Sequence, residues 1–241
     1  MKSFIQYNRP TYIRSIVTLF CILMGMLVIG QDCQSPVLYL AQKKMNEFIQ
    51  KYESGKTLSY FDSVSQTPDI KKLRNCEEYT YLLLARGEAL ELENDFENAL
   101  LQYQQLYDLS EASQWWKITT HACISMARCY EHIQQSAECL RYLMLARTMI
   151  AEHRLDTLYA RFCKRYASYH RIFANKDSAR VYARLSIRLG HQYGVYRSVF
   201  DGHLLMGILT TELDSAIYHF RKATEIFISN GDFHGAASQS M

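Results

Sequence analysis

Four residues in the middle of the chain, His121, Cys123, Cys129 and His132, are of the types that bind zinc, and they fall within one short stretch. Zinc needs its ligands to converge on one point. On a helix, residues advance by about 100° each, so His121 and His132 lie about 20° apart while Cys123 points nearly the opposite way. The expectation is Cys123 in a core, both histidines on an open face, and no metal. No other chemistry declares itself. There is no glycine-rich phosphate loop, no nucleophile elbow and no His-Glu-x-x-His pair. The plentiful carboxylates between residues 77 and 111 read as solvated helix faces rather than a paired-acid centre. The chain is expected to be non-enzymatic and free of cofactors.

Charge is more informative. From Glu77 to Glu111, nine acids stand against Arg86 alone, a net of −8. From Arg154 to Arg188, nine bases stand against Asp156 and Asp177, a net of +7. The overall charge of +3 hides this separation, and is too small to imply nucleic-acid binding. One reading is two solvated faces. The other is an electropositive groove section beside an electronegative one, which implies a protein or peptide partner with an acidic segment, or self-association through a neighbouring copy.

The elements that must position these charges are helices. The only prolines are Pro10, Pro36 and Pro68; a long proline-free stretch suits helices, because proline lacks a backbone donor and clashes with the preceding turn. Ten glycines are also few for a sheet protein with frequent turns. Within the helical stretch small residues recur: Gly87, Ala127, Ala167 and Gly207, in steps of 40. A second series, Ala99, Cys139, Ala179 and Ala216, runs in steps of 40, 40 and 37. Helices cross closely where small side chains meet. Four and seven residues past each second anchor lie Tyr103 and Leu106, Leu143 and Ala146, Ala183 and Ser186, Phe220 and Ala223. That spacing makes one apolar face, which should pack against the next hairpin. Turn residues fall between the helices at Asn94-Asp95, Asn175-Lys176-Asp177 and Asn230-Gly231-Asp232.

The segment Leu83 to Leu90, followed by Asn94 to Leu100 and Tyr103, resembles a tetratricopeptide repeat. The resemblance implies an all-α, right-handed superhelical solenoid of antiparallel hairpins over residues 79–241: four hairpins and an incomplete fifth from Phe233. A shortened chain is the simplest reading of that half hairpin. The sequence departs from the family in its longer period (the usual one is about 34 residues), in having no helix-ending proline, and in placing Trp115 and Trp116 upstream of the expected aromatic. Such solenoids bind partners on the concave face lined by first helices. Carried over to this chain, that face holds Tyr81, Glu88 and Glu91; then His121, Arg128 and Glu131; then Arg161, Lys164, Ser168 and Arg171; and finally Asp201 and Thr211. Arg161, Lys164 and Arg171 form a basic stripe beside Arg128. The acids of the first repeat, two hairpins away and near or beyond the screening length of about 8 Å, should not fully neutralise it.

Residues 31–78 read as a helical cap region, with helices near Val37–Lys51 and Leu58–Val64 and a helix start at Thr67-Pro68-Asp69. Residues 1–30 differ in kind. Lys2, Arg9 and Arg14 precede an uncharged apolar run from Ile16 to Ile29. This pattern fits a signal peptide cleaved before Gln31, with an uncleaved membrane anchor or a buried helix as alternatives. Export to the periplasm or cell envelope follows from the first two, with membrane contact only through this segment. Cys123, Cys139 and Cys163 read as small core residues, and Cys33 with Cys76 is the pair to consider for a bridge. Exported repeat chains of this kind are similar to the sensor regions of bacterial membrane-bound transcription regulators. That resemblance implies a protein-binding signalling region; the alternatives are a glycan- or peptide-binding component of envelope assembly or nutrient uptake, and a structural oligomer.

Overall fold

The computed structural model describes Cys33 and residues 35–230. The apolar run Ile16–Ile29 and the incomplete hairpin from Phe233 lie outside these residues. Every element among the described residues is a helix. Three lead in: α1 (Pro36–Gln50), α2 (Ser54–Ser65) and the short α3 (Pro68–Lys72). Thr67 caps α3, its hydroxyl accepting from the backbone of Ile70, with Pro68 in the first turn as expected from Thr67-Pro68-Asp69. Among the described residues, no helix is long and apolar enough to cross a membrane.

Four hairpins follow. Their first helices are α4 (Glu77–Leu92), α6 (Trp116–His132), α8 (Asp156–Phe173) and α10 (Tyr196–Leu209). Their second helices are α5 (Phe96–Ala112), α7 (Ser136–His153), α9 (Lys176–Tyr193) and α11 (Leu213–Asn230). Second helices start at residues 96, 136, 176 and 213, reproducing the steps of 40, 40 and 37.

The corners show a half-period invisible beforehand. Asn94, Gln114, Gln134, Arg154 and Gly194 all have positive φ, and their numbers differ by multiples of 20. A non-glycine residue in that left-handed region costs on the order of 1 kcal/mol, and asparagine and glycine bear it best. Gln114, Gln134 and Arg154 are not turn-forming types, so the hairpin geometry imposes this conformation on them. At the corner between α8 and α9 Ala174 has φ −135°, and Asn175 caps α9 by accepting from the backbone of Asp177 and Ser178.

The small anchors sit where the repeat placed them. Ala99, Ala127, Cys139, Ala167 and Ala179 are completely buried. Gly87 faces the ring of Tyr103 with no room for a Cβ, and Gly207 faces the ring of Phe220 in the same way. Each glycine thus seats an aromatic four residues past its partner anchor. An incomplete last hairpin should leave the flank of α11 poorly covered, and Phe220 and Phe227 are 42% and 44% exposed. Both lie on α11, and no later helix among the described residues covers that face.

Cys33 is bonded to Cys76, tying the chain before α1 to the N-cap of α4. With a sequence separation of 43, the bridge stabilises by about 4 kcal/mol if the closed loop is flexible when unfolded. Cys123, Cys129, Cys139 and Cys163 are free and buried, and burial pushes the thiols of Cys123, Cys139 and Cys163 up to about 12.

Candidate functional site

Because the first helices recur every 40 residues, equal positions on successive helices lie side by side. Side chains do not reach straight across, however. Arg128 pairs with Glu91 at 2.8 Å, the Ser168 hydroxyl donates to Glu131 at 2.7 Å, and Lys164 pairs with Asp201 at 2.8 Å. Each pair spans 37 residues, one repeat less about one helical turn, so the links run diagonally along the groove. Arg165 adds a second bond to Glu131 at 3.2 Å, and Arg197 one to Asp201 at 3.2 Å. The direct 40-residue step also occurs, between Arg161 and His121.

Apart from Glu131 and Ser168, the residues of these links line a cavity of about 160 Å³. Its wall includes Glu88 and Glu91 from α4, His121 and Arg128 from α6, and Arg161 and Lys164 from α8. Asp201, Arg197 and Ser198 of α10 close one side, while Ile49, Tyr52, Leu92 and Ile124 supply the apolar part. Six of the ten residues named from the sequence therefore share one cavity wall: Glu88, Glu91, His121, Arg128, Arg161 and Lys164. Tyr81, Glu131, Ser168 and Arg171 do not line it. Glu131 and Ser168 form the buried link with Arg165 behind the wall, and Arg171 is half-buried. Asp201 is on the wall, whereas Thr211 lines a separate hollow with Arg180 and Arg184.

One electrostatic expectation is overturned, and another is met only for part of the stripe. His121 is 7% exposed rather than on an open face, and burial followed by the Arg161 charge lowers its pKa to about 3. It is a neutral imidazole. His132 is exposed and stacks on Phe96, so no zinc site forms among the four residues singled out first. The basic stripe is neutralised in part: Arg128 and Lys164 find carboxylates, while Arg161 and Arg171 form no ion pair among the described residues. Glu91 from the first repeat reaches Arg128, Glu131 holds Arg165, and Asp201 holds Lys164. Linear counting of charges missed this because acids and bases far apart in sequence become neighbours along the groove.

The cavity perturbs its ionisable groups strongly. Burial lowers the Lys164 amine to about 7 against the opposing pull of Asp201. Burial alone would raise Asp201, but Lys164 and Arg197 hold its carboxyl below the usual range. Glu88 is raised by burial and by the charge of Glu91. Glu91 is tied to the hairpin core as well, accepting from the Tyr103 hydroxyl at 2.7 Å. Sequence reasoning did not find Arg165, Arg197 or Tyr52. Arg165 lies 34 residues after Glu131, nearly two turns short of the repeat, so the 37-residue offset alone points to Ser168 rather than to Arg165. Arg197 was legible as a base four residues before Asp201.

An all-helical repeat of this geometry defines a tetratricopeptide-like solenoid. No family model and no curated protein matches the chain. Among solved structures it is similar to the apo form of RapI, with a TM-score of 0.63 and 14% identity over 92% of this chain and 79% of that one. At that identity the likeness establishes the helical-repeat fold.

Proposed function

We propose that this chain is a non-catalytic scaffold of the cell envelope whose groove binds a segment of a protein or peptide partner, acting as a sensor region of a membrane-associated regulatory system. The observation that carries this reading is the single cavity built from all four first helices, walled by paired charges and a small apolar patch. Paired ions held in place from several helices suit recognition of an extended segment at low cost in reorganisation. The fold shared with apo RapI is compatible with such a role. Export is supported by the basic, then apolar, first thirty residues and by the Cys33–Cys76 bridge, since disulfides persist in oxidising compartments. An acidic segment is the partner chemistry that the basic side of the groove favours. The glycan alternative draws less support, because Tyr52 is the tyrosine on the wall and sugar-binding clefts use several aromatic platforms.

The test is selection of a displayed random peptide library on the purified chain, followed by measurement on Ser125→Trp, which places an indole in the cavity. Selected peptides should lose affinity by about tenfold or more. Unchanged affinity across the selected set sinks the groove reading. Export is tested separately: the mature protein should carry an N-terminus near Gln31, or an intact Met1 if anchored, and in either case should not be cytosolic.

A further inference from the structure

Five cations reach the cavity wall: Arg128, Arg161, Lys164, Arg165 and Arg197. Four carboxylates face them, with Glu88, Glu91 and Asp201 on the wall and Glu131 behind it. The pairing is uneven. Glu91 serves Arg128 and Glu131 serves Arg165, but Asp201 is shared by Lys164 and Arg197. Among the described residues no carboxylate lies at ion-pair distance from Arg161, whose guanidinium meets the neutral His121 instead. Glu88 is the carboxylate whose charge acts most on Arg161, yet it forms no ion pair with it; burial and then the Glu91 charge raise its pKa against the pull of Arg161, Arg128 and Arg197. Five cations therefore share three ion-paired carboxylates among the described residues, and Arg161 is the one left without any at ion-pair distance. Two donor-bearing groups of the wall, His121 Nδ1 and Arg165 Nε, are buried without hydrogen-bond partners, as is Glu91 Oε2, which has the Arg128 guanidinium at 2.8 Å. Polar atoms left so in a low-dielectric pocket are costly, and a ligand that satisfies them gains the difference.

We infer that the groove contains a carboxylate subsite, in which one carboxylate of the bound segment docks against Arg161 and Lys164. This rests on the groove reading above. Arg161 and Lys164 are three apart on α8 and present both head groups to the same wall. A planar carboxylate matches the guanidinium fork while its second oxygen accepts from the ammonium. The carboxylate can come from a free C-terminus or from an Asp or Glu side chain.

Docking is coupled to protons. Lys164 is faced by Asp201 and Arg197 from α10, by Arg128 and Glu131 from α6, and by Arg161 and Arg165 on its own helix. Near pH 7 it is partly uncharged in the empty groove. A new counter-charge raises its pKa, so binding takes up a proton. Affinity then falls as pH rises above about 7, by up to about tenfold per unit until the pKa of the complex is reached.

Three acetylated tetrapeptide pools test this: one with free C-termini and no Asp or Glu, one amidated with a fixed Glu, and one amidated and neutral. Retention on the unsubstituted chain should exceed that of the neutral pool by about tenfold or more for at least one acidic pool, which also identifies the carboxylate's source. Arg161→Gln should remove the excess and Arg171→Gln should keep it. Equal retention of all three pools overturns the subsite while leaving the groove reading standing. Retention of none overturns both. Should Arg161→Gln fail to fold, the pH series on the unsubstituted chain decides: loss of the acidic-pool advantage between pH 7 and 9 supports the subsite, and a flat profile overturns it.

Discussion

Hairpins one and four use the same device with opposite consequences. In hairpin one the ring of Tyr103 lies on Gly87 and is completely buried, and its hydroxyl reaches through to Glu91 on the groove wall. In hairpin four the ring of Phe220 lies on Gly207 in the same register, yet is 42% exposed and carries no polar tip. The local sequence logic is identical. What differs is the neighbour: α6 covers α5, whereas no described helix covers the outer face of α11. In a solenoid each repeat completes the burial of the one before it. The same glycine–aromatic contact is therefore a core in one place and a surface in the other, and only the first couples core packing to the cavity wall.

Breaking the contact on both sides tests the comparison most severely. Tyr103→Ala should destabilise by about 3–5 kcal/mol, as for other large-to-small core changes. The matching Phe220→Ala should cost about 1 kcal/mol, since a ring already open to water leaves little cavity. Equal shifts in the urea midpoint would mean the two hairpins are equally closed. Filling the seat instead of emptying it gives a smaller contrast. Gly87→Ala should overpack by about 1–3 kcal/mol, and Gly207→Ala by less, because the Phe220 ring can turn outward.

Acid should separate the hairpins further. His203 on α10 meets His219 on α11 at 3.0 Å, with His191, Arg184 and Lys222 adding positive charge and Glu225 opposing it. Burial first, then these neighbours, lowers His203 to about 4. Below the ordinary histidine value the unfolded chain takes up protons that the folded one refuses, so stability is lost as pH falls from about 6.5 towards 4. Hydrogen exchange at pH 5 against pH 7 should show α11 losing protection ahead of α5. Simultaneous loss would contradict the assignment. The finest cut is Tyr103→Phe, which keeps the ring and removes its bond to Glu91. Glu91 retains Arg128, so the cost should be about 1 kcal/mol. Peptide affinity should nonetheless change, since Glu91 stands on the cavity wall.

Much of this was legible in the residues alone. Proline and glycine usage, the 40-residue recurrence of small residues and the apolar face after each second anchor determined an all-helical hairpin repeat, its register and the shortened last step. Those are consequences of local chemistry: backbone donors, side-chain size and the helical period act over a few residues and leave a periodic trace. Tertiary structure alone decided which charges meet, because the diagonal offset between helices brings Glu91 to Arg128 and Lys164 to Asp201 across 37 residues. It also decided that Gln114, Gln134 and Arg154 take left-handed corners against their own preference. Burial and ion pairing depend on what the neighbouring hairpin presents, and no residue carries that information in its own position.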